Sequence, residues 1–415
     1  MSTSSAIGRR TAIKLGLAGA ATALAPRRAR AQNPKEVKIA LVVPLSGPWA
    51  RQGILEQMGA EMAIDDVNNS GGIKALGGAK LKLVLYDTGD SAEKAKNAAQ
   101  RLVAQEPDVV GGIGCWLSSF TLAVTEVTER AELPWLTLSY SDLITGRGFK
   151  YIFQTSPTAE TQATALLPRI VDLATKSGAG KPTKVAFIGD NSASSVSFMK
   201  AIRGGVAKDM GLTIVADEVF TPPLADATTL VQKIRSGRPD FIVMQSTNVG
   251  DDKLLLDKFA ERGITASTIP LVGGGGHWTV PELAKVAGTE HLEGVIVGLA
   301  NWPGKALGDL EKRFIAKTGE PWFGHDSIFP YAHVMIFKEA LERTASTDRK
   351  KLGETLHKID LKDGPAKYFP DGRVKFEDNG RRVGAELCIV QWQKNRPVAV
   401  HPESIAVSKA IWPKS

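Results

Sequence analysis

The chain is poor in cysteine and has no long uninterrupted apolar stretch. Its 415 residues include only Cys115 and Cys388, so the composition predicts no disulfide framework. The apolar run from Leu15 to Ala25 is shorter than the roughly 20 residues that a membrane-spanning helix needs, and no later stretch is apolar enough. The sequence therefore predicts a globular, soluble protein without a membrane or lipid anchor.

Sequence motifs of the common enzyme classes are also missing. The chain contains no G-x-S-x-G elbow, P-loop, H-E-x-x-H or C-x-x-C motif. Its six histidines lack metal-ligand spacing, and the segment from Gly112 to Leu117 lacks the third glycine of a dinucleotide-binding fingerprint. We therefore predict that the protein is not an enzyme and that it uses no cofactor and no metal. A cleft hydrolase or amidase is the weaker alternative.

An export signal begins the chain. Arg9 and Arg10 precede the apolar run, and Ala29-Arg30-Ala31 forms an A-x-A cleavage signal. We predict a twin-arginine signal peptide over residues 1–31 and a mature protein in the periplasm. Ala12 stands where the twin-arginine pattern usually has phenylalanine, so the general secretory route remains open.

The basic net charge comes largely from the same segment. The full chain has a formal net charge of +8, and residues 1–31 contain six basic residues and no acidic one. Without them the basic residues nearly match the 44 acidic ones. The mature protein is therefore close to neutral, and we predict no nucleic-acid partner.

Short β-rich runs alternate with helical patterns along the chain. Val37 to Val43 is a nearly continuous apolar strand, and Ile54, Met58 and Met62 follow it at the spacing of one helix face. The alternation starts again at Val185 to Gly189. Strand–helix alternation favours parallel sheets covered by helices, so we predict an α/β protein with two Rossmann-like lobes.

The polypeptide is expected to cross between the two lobes more than once, because the later elements do not complete a third sheet. The predicted N-terminal lobe consists of residues 37–155 plus 302–364. The predicted C-terminal lobe consists of residues 156–301 plus 365–412.

Three loops that follow predicted strands are rich in small hydroxyl or glycine residues: Pro44 to Trp49, Gly114 to Thr121 and Leu138 to Ser141. In parallel sheets, ligands bind at the carboxyl ends of strands, where loops and helix N-termini offer N–H groups. We therefore predict a binding rim formed by these loops. The alternative is that Ser118, Ser119 and Thr121 only cap the next helix.

Several motifs together resemble the periplasmic branched-chain amino-acid binding proteins. They are Pro44-Leu45-Ser46-Gly47-Pro48, Asp65 to Ile73, Ser118-Ser119-x-Thr121, Leu143 to Gly148, and Gly372 to Gly380. The resemblance covers essentially the whole mature chain. It implies a type I periplasmic-binding-protein fold with three crossovers and a ligand cleft between the lobes. It also implies delivery of hydrophobic amino acids or related solutes to the permease and ATPase subunits of an ABC importer.

The resemblance also assigns roles to individual residues. Ser118 and the loop from Ser139 to Ser141 are expected to hold the ligand's carboxylate. Ser194 and Gly275 stand where the family has a tyrosine and an acid that contacts the ligand's ammonium. An ammonium without a countercharge is costly to bury. An aromatic or amide-bearing carboxylate is therefore the alternative ligand, unless Asp190 replaces the missing acid.

The full set of predicted ligand-binding residues combines these loops with the glycine-rich segment around residue 275. His277 and Trp278 of that segment either line the pocket or pack in the core. A ligand-sensing receptor module with the same fold is the alternative function of another class. The predicted ligand-binding residues are Trp49, Ser118, Ser119, Thr121, Ser139, Tyr140, Ser141, Ser194, Gly275 and His277.

Overall fold

The protein is described by a computed structural model that covers Met1 and residues 34–413. Apart from Met1, the predicted signal peptide over residues 1–31 lies outside the described residues. In the described part of the chain, no helix combines the length and the apolar character needed to cross a membrane.

The first sheet has five parallel strands in the order β2-β1-β3-β4-β5. Its central strands are apolar along almost their whole length because helices cover both faces of the sheet. The strands are β1 (Glu36–Val43), β2 (Lys80–Asp87), β3 (Val109–Gly114), β4 (Trp135–Thr137) and β5 (Ile152–Gln154).

The second sheet has seven strands in the order β14-β13-β10-β9-β8-β6-β7. The five strands from β6 to β10 are parallel and repeat the strand order of the first sheet, while β13 and β14 extend it as an antiparallel hairpin. The short strands β11 and β12 pair separately. The bounds are β6 (Lys184–Asp190), β7 (Thr213–Phe220), β8 (Phe241–Gln245), β9 (Leu271–Gly274), β10 (Ile296–Leu299), β11 (Asp360–Leu361), β12 (Val374–Lys375), β13 (Cys388–Gln393) and β14 (Arg396–His401).

Thirteen α-helices cover the two sheets in the described part of the chain. They are α1 (Ala50–Asn69), α2 (Ala92–Gln105), α3 (Ser118–Arg130), α4 (Ala159–Lys176), α5 (Ala193–Ala201), α6 (Ala207–Asp209), α7 (Thr228–Gly237), α8 (Val249–Glu261), α9 (Pro281–Ala287), α10 (Thr289–Leu292), α11 (Gly308–Thr318), α12 (His325–Thr344) and α13 (Arg349–Lys358).

Most elements lie where the sequence pattern predicts them. Ser91, for example, caps α2 by accepting a hydrogen bond from the Lys94 amide. The sequence pattern predicts one continuous helix over residues 195–210, but a π-helical turn over Ile202–Val206 interrupts it between α5 and α6. Gly205 has a φ of 144° inside that turn. The turn needs a conformation that glycine adopts more readily than other residues, and helical periodicity alone does not signal it.

The chain passes between the lobes three times. It leaves the first sheet after Gln154, returns to the first lobe after Leu299, and re-enters the second sheet at Cys388. On the second passage α12 packs against α1 of the first lobe. The α/β architecture with two lobes and three crossovers therefore agrees with the fold predicted from the sequence.

One segment lies with the other lobe than the sequence suggested. The predicted C-terminal lobe includes residues 365–412 as a whole, but Ala366, Phe369, Val374 and Phe376 belong to the hydrophobic core of the first lobe. Their apolar side chains fill space beside α12, so the last crossover comes after residue 376. Sequence periodicity identifies a strand or turn but not the sheet against which it packs.

Cys115 and Cys388 are both buried and free. Each lies in a different core, with Cys115 in the core of the first lobe and Cys388 in that of the second. The two cysteines therefore act as small apolar core residues in this structure.

Candidate functional site

A cavity lies between the two lobes, at the carboxyl ends of strands from both sheets. Loops after β3 and β4 contribute the first-lobe wall, and loops after β8 and β9 contribute much of the second-lobe wall. The residues that line it are Trp116, Leu117, Ser118, Leu138, Tyr140, Gln162, Ser194, Ser195, Gln245, Ser246, Thr247, Gly274, Gly275, Gly276, His277 and His325.

The cavity is narrow. Its empty volume, including the opening to solvent, is about 450 Å³, but the centre of a water molecule can reach only about 30 Å³ of this space. The larger volume is in the range of small-molecule sites, whereas the smaller one holds only a few ordered waters. A ligand of amino-acid size therefore requires the lobes to separate for entry and the lining side chains to adjust around it.

Ser118 is the first residue of α3 and lies in the cavity wall. Its hydroxyl oxygen accepts hydrogen bonds from the backbone amides of Tyr140 and Ser141, each at 3.1 Å. Among the described residues the Ser118 hydroxyl donates to no acceptor, so its proton is available to a ligand. The N-terminus of α3 adds N–H groups without intrahelical partners, and the helix dipole favours an anion there.

Thr121 and Ser139 lie behind the cavity wall rather than in its lining. The two hydroxyl oxygens are 2.6 Å apart, and Ser139 also donates to the carbonyl oxygen of Trp116 at 2.7 Å. Both side chains are fully buried. Their hydrogen bonds hold the Trp116 backbone, which has a φ of 62°, and thereby fix the wall that the ligand would contact.

Ser119 and Ser141 connect the two lobes. The Ser119 hydroxyl accepts a hydrogen bond from the Ala193 amide at 3.3 Å, at the start of α5 in the second lobe. The Ser141 hydroxyl lies 3.1 Å from that of Ser197. Neither residue lines the cavity, so the structure gives these two predicted site residues a position in the contact between the lobes.

Trp49 also lies outside the cavity lining. Its ring packs edge-on against Phe120 at a centroid distance of 5.5 Å, within the core of the first lobe. Trp278 is fully buried in the core of the second lobe. Arg51 is absent from the cavity lining, and its guanidinium pairs with Glu320 at 2.5 Å. Of the aromatic residues that the sequence indicated, Tyr140 and His277 are the ones in the wall.

The second-lobe wall contains Ser194, Gly275 and His277, as well as side chains packed closely on a glycine run. A Cβ atom at Gly274 would lie 2.2 Å from Nε2 of Gln245, so only glycine leaves room for that amide. Gly275 has a φ of 106°, a conformation that favours glycine. The run therefore allows Gln245 and His277 to approach the backbone closely.

Asp190 does not line the cavity. One of its carboxylate oxygens accepts a hydrogen bond from the Ser192 amide at 2.9 Å, so Asp190 caps the loop that follows β6. The other oxygen accepts from the Thr247 hydroxyl at 2.5 Å. Asp190 is thus positioned one layer behind a wall residue, with the Thr247 hydroxyl between it and the cavity.

No residue in the lining carries a side chain that is charged at neutral pH. Burial lowers the pKa of His277 and of His325 to about 3, so both imidazoles are neutral. Buried carboxyl groups lie behind the wall, and burial raises the pKa of Asp326 to about 7 and that of Asp252 well above its usual value. No group of three metal-ligating side chains suited to a metal ion occurs among the described residues.

Six residues of the lining were not predicted from the sequence: Gln162, Ser195, Gln245, Ser246, Thr247 and His325. Gln245 ends β8 and Thr247 follows it. The apolar run from Phe241 to Met244 predicts this strand, so the rule that ligands bind after parallel strands also indicates these two residues. Gln162 lies on α4 and His325 begins α12. No local pattern distinguishes these two from other helical residues.

Comparisons with known proteins agree with this architecture. The family model described as "Periplasmic binding protein" matches residues 36–397. A Leu/Ile/Val-binding protein homolog 8 from Brucella suis is 30% identical over 396 residues, which cover 91% of this chain and 94% of that protein.

Solved structures are similar at lower sequence identity. A branched-chain amino acid transporter substrate binding protein from Streptococcus pneumoniae, in complex with isoleucine, has a TM-score of 0.74 at 21% identity and covers 88% of this chain and all of its own. A solute binding protein of an ABC transporter from Rhodopseudomonas palustris, in complex with 3,4-dihydroxybenzoic acid, has a TM-score of 0.73 at 21% identity. The match covers 88% of this chain and 97% of that protein. At this identity the two structures support the fold alone.

Proposed function

The chain belongs to the periplasmic binding protein family, and from that membership we propose that it is the solute-binding component of an ABC importer. In this role it binds a small solute and delivers it to the permease and ATPase subunits at the membrane. It acts by binding rather than by catalysis. The observation that carries the proposal is the cavity between the lobes, with Ser118 at the N-terminus of α3 in its wall.

The proposed mechanism is hinge closure. Each lobe contributes part of the cavity wall, so a ligand gains its full set of contacts only when the lobes are together. The hydrogen bond between the Ser119 hydroxyl and the Ala193 amide joins the two lobes in this structure and would break on their separation. Ligand binding would therefore shift the population toward the closed form, which the membrane subunits recognise.

We propose a small carboxylate as the ligand, either a hydrophobic amino acid or a related aromatic or amide-bearing acid. The name of the Brucella suis relative refers to leucine, isoleucine and valine, and two similar structures hold isoleucine and 3,4-dihydroxybenzoic acid. The free hydroxyl proton of Ser118 and the N-terminus of α3 both suit a carboxylate oxygen.

Native mass spectrometry and small-angle scattering together test this function. Protein purified under native conditions is expected to carry a small carboxylate, and removal of the ligand is expected to increase the radius of gyration as the lobes separate. Adding the same compound back should restore the smaller radius. A radius that does not respond to any bound solute would contradict hinge closure. Catalytic turnover of the bound compound would contradict the binding-protein role.

A periplasmic location is the second part of the proposal. It is supported by the family description and by Arg9-Arg10 with the A-x-A signal at Ala29-Arg30-Ala31. Replacing both arginines by lysine is expected to abolish periplasmic accumulation if the twin-arginine route is used. Unchanged accumulation would assign the general secretory route instead, and a cytoplasmic wild-type protein would contradict export.

A further inference from the structure

The cavity has different hydrogen-bonding character on its two sides. On the first lobe, the Ser118 oxygen already accepts two backbone N–H groups, so this hydroxyl offers its proton to the ligand. On the second lobe, Ser195 donates to the carbonyl oxygen of Gln245 at 2.6 Å and Thr247 donates to Asp190 at 2.5 Å. A hydroxyl has a single proton, so Ser195 and Thr247 can offer only lone pairs to a ligand.

The same second-lobe side also contains unpartnered amide groups. Nε2 of Gln162 and Nε2 of Gln245 are buried and have no hydrogen-bond partner among the described residues, although the two side chains are only 5% and 6% exposed. Buried amides almost always have partners in folded proteins, because leaving one unpaired is costly. The wall thus presents acceptors and unsatisfied amides side by side.

Charge is absent from this side of the cavity. No aspartate, glutamate, lysine or arginine lines it. Asp190 lies behind the Thr247 hydroxyl, and Asp252 lies behind Ser246 and His277, where burial raises the pKa of its carboxyl group. A ligand group that only donates, such as an ammonium, would leave the two amides unsatisfied and would lack an adjacent countercharge. A group that only accepts, such as a ketone or a second carboxylate, would face the lone pairs of Ser195 and Thr247.

We infer that the ligand is a carboxylate with a second, uncharged group that both donates and accepts hydrogen bonds, as a hydroxyl or a carboxamide does. The carboxylate lies at Ser118, and the neutral group lies between the hydroxyls of Ser195 and Thr247 and the amides of Gln162 and Gln245. Free leucine, isoleucine and valine are then poor ligands. This inference rests on the proposed function and specifies its ligand class.

Two series of ligands of nearly constant size test the inference by calorimetry. One series is 4-methylpentanoate with hydroxyl, ammonium, oxo or hydrogen at carbon 2, and the other is benzoate with hydroxyl, carboxamide, carboxylate or fluorine at the para position. In at least one series, the hydroxyl or carboxamide compound is expected to bind about 10-fold or more tightly than the other members. Equal or tighter binding of the ammonium, oxo or fluorine compound would overturn it.

Variants of Gln245 provide the matched control. Gln245→Met keeps the side-chain length and removes an amide whose nitrogen has no partner, so the unliganded protein should keep its stability. This variant is expected to lose the preference for the neutral donor–acceptor compound. Gln245→Glu is expected to move the preference toward the ammonium compound. An unchanged ligand ranking in both variants would contradict the role of Gln245.

Failure of the inference can be separated from failure of the proposed function. If a carboxylate copurifies or binds but carries no neutral donor–acceptor group, the inference is wrong and the function stands. If no compound of either series binds and native mass spectrometry finds no small molecule, the proposed function is contradicted and the inference falls with it.

Discussion

The indole nitrogen of Trp116 donates a hydrogen bond to Oδ1 of Asp326 at 2.9 Å. Trp116 forms part of the cavity wall after β3, and Asp326 lies in the first turn of α12, more than 200 residues later. The Trp116 carbonyl is held separately by Ser139. This tryptophan is therefore anchored at both its backbone and its side chain, which defines one wall of the cavity before any ligand binds.

Replacing Asp326 by alanine should weaken ligand binding. The change leaves the buried indole N–H of Trp116 without an acceptor, at a cost of about 1–3 kcal/mol, and frees the ring to leave the wall. Asp326→Asn keeps an acceptor oxygen at the same position and should bind ligand nearly as the wild type does. Calorimetry of the two variants measures the difference, and equal affinities would show that the hydrogen bond does not position Trp116.

Replacing Ser118 by alanine should reduce affinity for the carboxylate ligand by about 10- to 150-fold, because a hydrogen bond to a charged group contributes roughly 1.5–3 kcal/mol. Ser119→Ala is the neighbouring control. It removes a contact between the lobes rather than a cavity donor, so it should alter closure more than the chemistry of recognition. Unaltered calorimetric affinity of Ser118→Ala would leave Ser118 only a role in the α3 N-terminus.

The sequence predicts the sheets well because their signals are local. Apolar runs such as Val37 to Val43 indicate a strand that is buried on both faces of the sheet, and Ser91 indicates the start of α2. The lobe that receives a late segment is set by tertiary packing instead. For example, the ring centroid of Phe376 lies 5.0 Å from that of Phe153 in the first lobe, a contact that no local sequence pattern encodes.

The candidate site was only partly predictable for the same reason. Loops that follow parallel strands bring Ser118, Tyr140 and His277 to the cavity, as the topology requires. Whether a side chain in such a loop points into the cavity depends on packing. Trp49 turns into the core beside Phe120, and Gln162 reaches the cavity from a helix whose sequence gives no such signal.

Removing Asp371 should destabilise the fold strongly. Its carboxylate pairs with the buried guanidinium of Arg382 at 2.6 Å, and Arg382 also donates to the Thr155 carbonyl. Asp371→Ala leaves a buried charge unpaired and should lower the free energy of unfolding by about 3–5 kcal/mol in urea titrations. Asp360→Ala removes the exposed partner of Arg373 and should change stability little. Similar losses in both variants would contradict this difference.

Stability below neutral pH should depend on His333. Its ring is fully buried on α12, and burial lowers its pKa to about 3. Its Nε2 lies 2.7 Å from the Thr155 hydroxyl, whose proton is donated to the Thr137 carbonyl. Nε2–H of His333 is therefore the donor in its hydrogen bond to the Thr155 hydroxyl oxygen. Histidine in the unfolded chain has a pKa of about 6.5. The contribution of neutral His333 to the free energy of unfolding is therefore fully present above this pH and is lost as the pH falls toward 3.

The test compares His333→Gln with the wild type, because glutamine can still donate to Thr155 but does not titrate. Between about pH 4 and 6, the unfolded wild type takes up one more proton at this residue than the folded protein does. Its unfolding free energy should therefore fall by about 1.4 kcal/mol per pH unit more than that of the variant. Five carboxyl groups whose pKa values are raised by burial act in the opposite direction, but they are common to both proteins and cancel in the difference. Parallel stability curves over this range would show that His333 is not neutral in the folded protein.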